Sequence, residues 1–140
     1  MPEITNRPQT IHYEVHGDGP PVLLAHSFLC STAMWAPQIE SLKGDYQLIA
    51  VDARGHGRSG RTLGPYTLYD SAKDHLAVLD ALGIQRCAWA GLSMGGMAGM
   101  RAALAQPERI AGLMLLDTDG GAERPWVKTK YAVMSATARM

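Results

Sequence analysis

The sequence has few cysteines, no excess of charge of either sign and no long apolar run. Two cysteines are too few for a disulfide framework or a thiolate metal site, so Cys30 and Cys87, each in an apolar setting, are predicted to be reduced core thiols. Lysine plus arginine and aspartate plus glutamate both number 13, so no net field favours nucleic acid or an anionic membrane surface. A small molecule is the expected ligand, and no cofactor or metal is implied.

No apolar run approaches the ~18 residues that a membrane span needs, and residues 1–12 have no apolar segment of the kind found in signal peptides. These features predict a cytoplasmic protein with no membrane partner. A chain of 140 residues with 46% hydrophobic content is enough for one core and one domain.

The most informative segment runs from residue 86 to residue 106. A short apolar run leads into Gly91-Leu92-Ser93-Met94-Gly95, and a helix-like stretch of small residues follows. In the pattern G-x-S-x-G the glycines let a strand and a helix pass closely, with the serine at the apex of the turn. The pattern predicts a nucleophilic Ser93, with the Met94 N–H in position to stabilise an oxyanion. The alternative is a glycine-rich turn in which Ser93 only caps the helix.

Apolar runs alternate with helical patterns along the whole chain. Strands are predicted at residues 10–16, 21–26, 46–51, 87–91 and 110–116, the last of them buried. Helices are predicted at residues 32–42, with Ser31 as the cap, and at residues 67–82 and 94–106. Such alternation predicts an α/β fold with a parallel sheet that is covered on both faces. Ligands of these sheets bind beyond the carboxyl ends of the strands, where residues 26–29, 52–59, 93 and 117–120 should converge.

The segments at those strand ends resemble the motifs of one family. They are His26-Ser27-Phe28-Leu29, then Asp52-Ala53-Arg54-Gly55-His56-Gly57-Arg58-Ser59, and then Gly91-Leu92-Ser93-Met94-Gly95-Gly96. In order and spacing they resemble the N-terminal half of an α/β-hydrolase, and within it the branch of enol-lactonases, esterases and non-haem haloperoxidases. The resemblance makes residues 1–120 the N-terminal part of the core and residues 121–140 the start of a lid or linker. The sheet would then be of the α/β-hydrolase type, truncated after the strand that follows the nucleophile elbow.

The resemblance also implies an oxyanion hole made of the backbone N–H groups of Phe28 and Met94. The chain has Ser27 where the family has a glycine, which adds a Cβ and a hydroxyl close to the substrate. By the same resemblance His26 and His56 should have structural roles. Arg54 and Arg58 are expected to hold their loop on Asp52 rather than to bind a phosphate.

The rest of the family's catalytic triad is harder to find. A serine hydroxyl needs an adjacent base, and in this family the base is a histidine late in the chain, oriented by an acid. No histidine follows His75, and all five histidines precede Ser93. Asp117 ends the strand after the elbow, a position from which some family members supply the acid. The preferred interpretation of residues 117–120 is nevertheless a hydrogen-bonded turn.

Two functions therefore remain open. The first is a serine hydrolase of small carboxylic esters or lactones, with the histidine and the acid outside this chain. The second is a non-catalytic fragment or pseudoenzyme half-domain that binds a partner or a small ligand. In either case the apolar strand at residues 110–116 should lie at an edge of the sheet. That edge is expected to pair with a companion chain carrying the C-terminal half, or with a second copy of this chain.

Overall fold

The computed structural model describes residues 3–6, 9–121 and 124–137. Residues 122, 123 and 138–140, which belong to the segment predicted as a lid or linker, lie outside the described part. The described residues form six strands and four α-helices. The strands are β1 (Glu3–Asn6), β2 (Gln9–His16), β3 (Pro21–Ala25), β4 (Gln47–Val51), β5 (Cys87–Leu92) and β6 (Ile110–Leu116). The helices are α1 (Ala36–Leu42), α2 (Leu68–Ala81), α3 (Met94–Ala105) and α4 (Pro125–Thr137).

The strands form one mixed sheet in the order β1-β2-β4-β3-β5-β6. Strands β4, β3, β5 and β6 are parallel, which confirms the predicted α/β architecture. The first two strands differ from that expectation, because β1 is antiparallel to β2 and β2 is antiparallel to β4. Only residues 7 and 8 separate β1 from β2, too few for the crossover that a parallel pair would need.

Helices cover both faces of the sheet. Alternate side chains of one strand point to opposite faces, so Leu23 packs in the larger cluster with α2 and α3 while Leu24 packs in the smaller cluster with α1. Trp89 on β5 is fully buried in the larger cluster. The near-continuous apolar runs of the inner strands are thus explained by burial on both sides.

The helix starts follow local capping rules. Ser31 accepts a hydrogen bond from the Ala33 N–H and caps a short 3-10 turn, Thr32–Trp35, that leads into α1, as the sequence predicted. Thr67 and Asp70 form a reciprocal capping box at the start of α2. The loops before these two helices follow β3 and β4, and because those strands are parallel both loops lie at the carboxyl ends of the strands.

Strand β6 lies at an edge of the described sheet, as predicted, and β5 lies one position inside it. The prediction that residues 110–116 form a buried strand is wrong, because Met114 is 59% exposed and Leu115 is 44% exposed. No described strand pairs with the outer edge of β6. Met114 and Leu115 face solvent, whereas Ile110, Leu113 and Leu116 are partly buried against the two core clusters. The four described residues at 117–120 follow at its carboxyl end.

The two cysteines are free and lie in different environments. Cys87, at the start of β5, is buried as predicted, and desolvation raises the pKa of its thiol to about 11. Cys30 is exposed, so its prediction as a core thiol is wrong: it follows a surface turn rather than a strand.

None of the described helices is long and apolar enough to cross a membrane. Within the described residues no three histidine, cysteine or acidic side chains come close enough together to hold a metal ion.

Candidate active site

Ser93 occupies a strained backbone conformation at the junction of β5 and α3. Its φ is 50° and its ψ is −111°, a combination that residues with a side chain rarely adopt. The side chain makes no capping hydrogen bond to α3, which removes the alternative in which Ser93 is only a helix cap. The backbone N–H of Ser93 donates to the carbonyl of Leu116, at 2.8 Å, and this bond fastens the turn to β6.

The glycines on either side of Ser93 are required by close packing. A Cβ on Gly91 would overlap the backbone of Gly95, and a Cβ on Gly95 would overlap the carbonyl of Ala25. Strand β5, helix α3 and strand β3 therefore approach one another as closely as glycine allows. This is the packing that the G-x-S-x-G pattern predicted.

A cavity of about 320 Å³ opens beside Ser93. Its lining is mostly apolar, and no acidic, basic or histidine side chain is among the lining residues, which are Phe28, Ser93, Met94, Met97, Tyr131, Ala132 and Ser135. The Phe28 ring meets the Tyr131 ring edge to face, with centroids 5.7 Å apart, so that the loop after β3 and helix α4 close one side of the cavity. The predicted residues Ser93, Phe28 and Met94 thus all line the same cavity.

The loop after β3 is a tight turn in which the Cys30 N–H donates to the Ser27 carbonyl at 3.1 Å. Leu29 carries the left-handed backbone of this turn, with φ of 59°, and Ser27 is not among the residues with positive φ. The serine at position 27 therefore costs no left-handed strain, although a glycine is expected there from the resemblance. In the described part of the chain neither the Phe28 nor the Met94 N–H donates to a protein acceptor.

His26 has the structural role that the sequence predicted. Its Nε2 accepts a hydrogen bond from the Ala53 N–H at 2.9 Å, so Nδ1 carries the proton and donates to the Ser27 carbonyl at 2.7 Å. The side chain is buried, and desolvation lowers its pKa to about 4. With both nitrogens engaged and the ring neutral, His26 links the two loops and has no free lone pair to act as a base.

In the described part of the chain, the arginine side chains of the loop after β4 pair with acids other than Asp52, which differs from the prediction. Arg54 forms a bidentate ion pair with Asp74 of α2, at 2.6 and 2.9 Å, because that buried carboxylate needs a counter-charge. Arg58 reaches Glu14 of β2 with its side chain, and its backbone N–H donates to Asp52. His56, whose ring lies 5.7 Å from that of Phe28, donates to the Arg54 carbonyl from Nδ1.

Asp117 does not line the cavity. It is exposed and has a φ of 42°, so the chain turns back sharply after β6. Two residues further on, Asp119 accepts a hydrogen bond from the Gly121 N–H at 2.8 Å, the kind of side-chain turn that the sequence favoured for this segment.

Sequence reasoning missed the side of the cavity that α4 supplies. Tyr131 and Ser135 are four residues apart and so lie on one face of this helix. That spacing was a visible signal, but nothing in the sequence indicated that this face would meet Phe28. Met97, one turn into α3, was missed for the same reason.

The sheet order, the two covering layers and the strained serine between a parallel strand and a helix define a hydrolase-type α/β fold. The family model described as "alpha/beta hydrolase fold" matches residues 20–138. The chain therefore belongs to the α/β-hydrolase family.

The relatives with similar sequences are hydrolases by name. A RutD protein of Azorhizobium caulinodans, which its name describes provisionally as a carbamate hydrolase, is 40% identical over 117 residues, 84% of this chain and 44% of its own length. The 3-oxoadipate enol-lactonase 2 of Acinetobacter baylyi is 32% identical over 117 residues, 82% of this chain and 44% of that protein. The chain thus spans less than half the length of the curated relatives that it matches.

Among solved structures, the enol-lactonase from Burkholderia xenovorans LB400 is similar at a TM-score of 0.90 and 33% identity, covering 97% of this chain and 54% of the other. The thermophilic esterase from Thermogutta terrifontis is similar at a TM-score of 0.91 and 31% identity, covering 99% of this chain and 54% of the esterase. The similarity therefore extends over almost the whole of this chain and about half of each of those structures.

Proposed function

We propose that this chain supplies the nucleophile and the oxyanion hole of a serine hydrolase of small carboxylic esters or lactones. Ser93 Oγ attacks the substrate carbonyl, and the N–H groups of Phe28 and Met94 bind the oxygen that becomes negative. The observation that carries the proposal is the strained Ser93, with φ of 50°, on the wall of the cavity beside Met94. Strain of this kind is kept where it holds a reactive side chain in position.

The cavity favours a small, uncharged acyl group. Its volume of about 320 Å³ and its apolar lining suit a compact ester or lactone, and none of the described residues that line it carries a charge to bind an ionic group. The names of the relatives add a carbamate to the substrates worth testing, since its carbonyl is open to the same attack.

The base that activates Ser93 is proposed to lie outside these 140 residues. No histidine follows His75 in the chain, and the nitrogens of His26 are both occupied. The acid that orients the base is assigned to the same additional part of the protein, with Asp117 as the alternative within this chain. The proposal keeps the cytoplasmic location expected from the sequence.

The exposed strand β6 is where the additional part is proposed to attach. Its free edge and its exposed Met114 and Leu115 offer hydrogen-bonding groups and apolar area to a further strand. A companion polypeptide carrying the C-terminal half is the proposed partner, and pairing with a second copy of this chain is the competing outcome.

The proposal is tested by covalent labelling with a fluorophosphonate and by hydrolysis of p-nitrophenyl acetate. The chain alone should hydrolyse the ester several orders of magnitude more slowly than a complete triad would, because without the base only about 10³-fold catalysis over water remains. Adding a polypeptide with the remaining strands and a histidine should restore turnover and labelling. Ser93→Ala should then abolish both.

The matched control is Ser135→Ala, which removes the second serine hydroxyl of the cavity and should leave labelling intact. Label found on Ser135 would overturn the assignment of the nucleophile. Rapid, stoichiometric labelling of Ser93 in the chain alone would overturn the external base. No turnover with the complementing polypeptide would favour the non-catalytic half-domain.

A further inference from the structure

The carbonyl of Ser93 receives a hydrogen bond from outside its own helix. The Thr118 hydroxyl donates to this oxygen at 2.8 Å, across 25 residues of sequence. The Met97 N–H donates to the same oxygen at 3.0 Å, as the first hydrogen bond of α3. The bond from Met97 would be present in any helix that begins here, whereas the bond from Thr118 is an addition that the loop after β6 supplies.

The peptide group that Thr118 binds is the one that carries the Met94 N–H. In a planar trans peptide the carbonyl of one residue and the N–H of the next belong to one rigid unit and point in opposite directions. A contact that fixes the Ser93 carbonyl therefore also fixes the direction of the Met94 N–H. A hydrogen bond to the carbonyl polarises the peptide as well, and so strengthens its N–H as a donor.

We propose that Thr118 is a positioning residue for the oxyanion hole. Its hydroxyl holds and polarises the Ser93–Met94 peptide, so that the Met94 N–H is aimed at the substrate oxygen on which negative charge develops. Thr118 keeps its own proton throughout and does not touch the substrate. The inference rests on the proposed function, in which Ser93 attacks a carbonyl and Met94 binds the oxyanion.

The surroundings of Thr118 are shaped for this contact. A Cβ on Gly96 would lie 2.7 Å from the Thr118 methyl carbon, so the second glycine after Ser93 leaves the space that Thr118 fills. Asp117 has a φ of 42°, and this reversal brings Thr118 back toward the elbow. The Ser93 N–H donates to Leu116 at the end of β6, and the Ser93 carbonyl accepts from Thr118 in the loop that follows. The peptide groups on both sides of Ser93 are therefore held by this part of the chain.

The first test needs no catalysis and uses the amide resonance of Met94 in the NMR spectrum of the 140-residue chain. Thr118→Val keeps the shape and the methyl group beside Gly96 but removes the donor. It should move the Met94 amide nitrogen upfield, because its peptide carbonyl loses a hydrogen bond. Thr118→Ser keeps the donor and should bring the resonance back toward its wild-type position. An unchanged Met94 resonance in Thr118→Val would overturn the proposal.

The second test is the rate at which a fluorophosphonate labels Ser93 once the chain is complemented by the polypeptide that supplies the base. A neutral hydrogen bond contributes on the scale of a fivefold to tenfold change in rate, so Thr118→Val should label about fivefold to tenfold more slowly. Thr118→Ser should label at close to the wild-type rate, with thermal unfolding measured for both variants. A purely structural role would slow labelling only in proportion to the loss of folded protein that thermal unfolding measures.

Failure of this inference can be told apart from failure of the proposed function. If Ser93→Ala still labels, Ser93 is not the nucleophile and the proposed function fails, whatever the Met94 resonance does. If Ser93→Ala abolishes labelling while Thr118→Val labels at the wild-type rate, the nucleophile stands and the role of Thr118 is refuted.

Discussion

The indole N–H of Trp89 donates a hydrogen bond to the backbone carbonyl of Gly95, at 3.1 Å. Trp89 lies on β5, the strand before Ser93, and Gly95 lies in the first turn of α3, the helix after it. The bond therefore connects the strand and the helix on either side of the serine. The indole is fully buried, and a Cβ on Gly99 would lie 2.6 Å from its nitrogen. Helix α3 can therefore rest on Trp89 only because residue 99 has no side chain.

Gly99→Ala should destabilise the protein, although alanine is the better helix former by about 1 kcal/mol. The clash with buried Trp89 should outweigh that gain, at a cost of about 1–3 kcal/mol for overpacking, measured as the free energy of unfolding in urea. The matched control is Gly112→Ala, since a Cβ at Gly112 meets nothing within 4 Å. Equal stability of the two variants would contradict the packing described for Trp89.

Asp74→Ala should be strongly destabilising because it leaves Arg54 without its bidentate partner. The Asp74 side chain is fully buried and that of Arg54 is 17% exposed, so loss of the carboxylate should cost about 3 kcal/mol in the free energy of unfolding. Glu40→Ala removes an exposed pair with Lys43 and should leave the urea midpoint unchanged. A small effect of Asp74→Ala would mean that Arg54 is solvated once the pair is broken.

Acid should destabilise the fold through His26. Burial lowers its pKa from 6.5 to about 4, so between these values the unfolded chain takes up a proton that the folded chain does not. Unfolding is therefore favoured as the pH falls, and from about pH 7 to about pH 5 His26 alone should remove about 2 kcal/mol of stability. His75, whose pKa burial also lowers, acts in the same direction. Urea unfolding at the two pH values measures the loss.

The control for that measurement is His26→Gln, which has no titrating ring and can still accept the hydrogen bond of the Ala53 N–H. Its stability should fall less steeply with acid than that of the wild type. A wild-type slope that survives the substitution would assign the acid sensitivity to other groups.

The two thiols should react at very different rates with a disulfide reagent under native conditions at about pH 8. Cys30 is exposed and should react at once, whereas Cys87 is buried with its pKa raised to about 11, so that only about one molecule in 10³ carries its thiolate. One fast equivalent is expected, and Cys30→Ser should remove it. Two fast equivalents would show that the start of β5 is accessible.

The free edge of β6 should make the purified chain associate. Light scattering after size exclusion should give a mass above 15.1 kDa, and Met114→Lys should lower it by placing a charge on the exposed strand. Leu63→Lys alters an equally apolar, fully exposed residue in a loop and serves as the control. A stable wild-type monomer would refute association through this edge.

The sequence by itself determined the features that depend on neighbouring residues. The glycines at 91 and 95 encode the sharp turn around Ser93, because only residues without a Cβ fit where β5, α3 and β3 meet. The apolar runs and the cap at Ser31 specified strands and helices to within a few residues, since periodicity and capping are local properties. From their alternation followed the α/β class and the convergence of the loops after β3 and β5.

Only the tertiary structure decided which distant side chains meet. Thr118 donates to the Ser93 carbonyl, and Tyr131 contacts Phe28 at one side of the cavity. Arg54 pairs with Asp74, twenty residues away, although Asp52 is closer in sequence. The apolar composition of β6 predicts a buried strand, yet its Met114 and Leu115 are exposed, because burial depends on what lies beside a strand and not on its own composition. Contacts of this kind depend on the register and packing of whole elements, and no local pattern in the sequence encodes them.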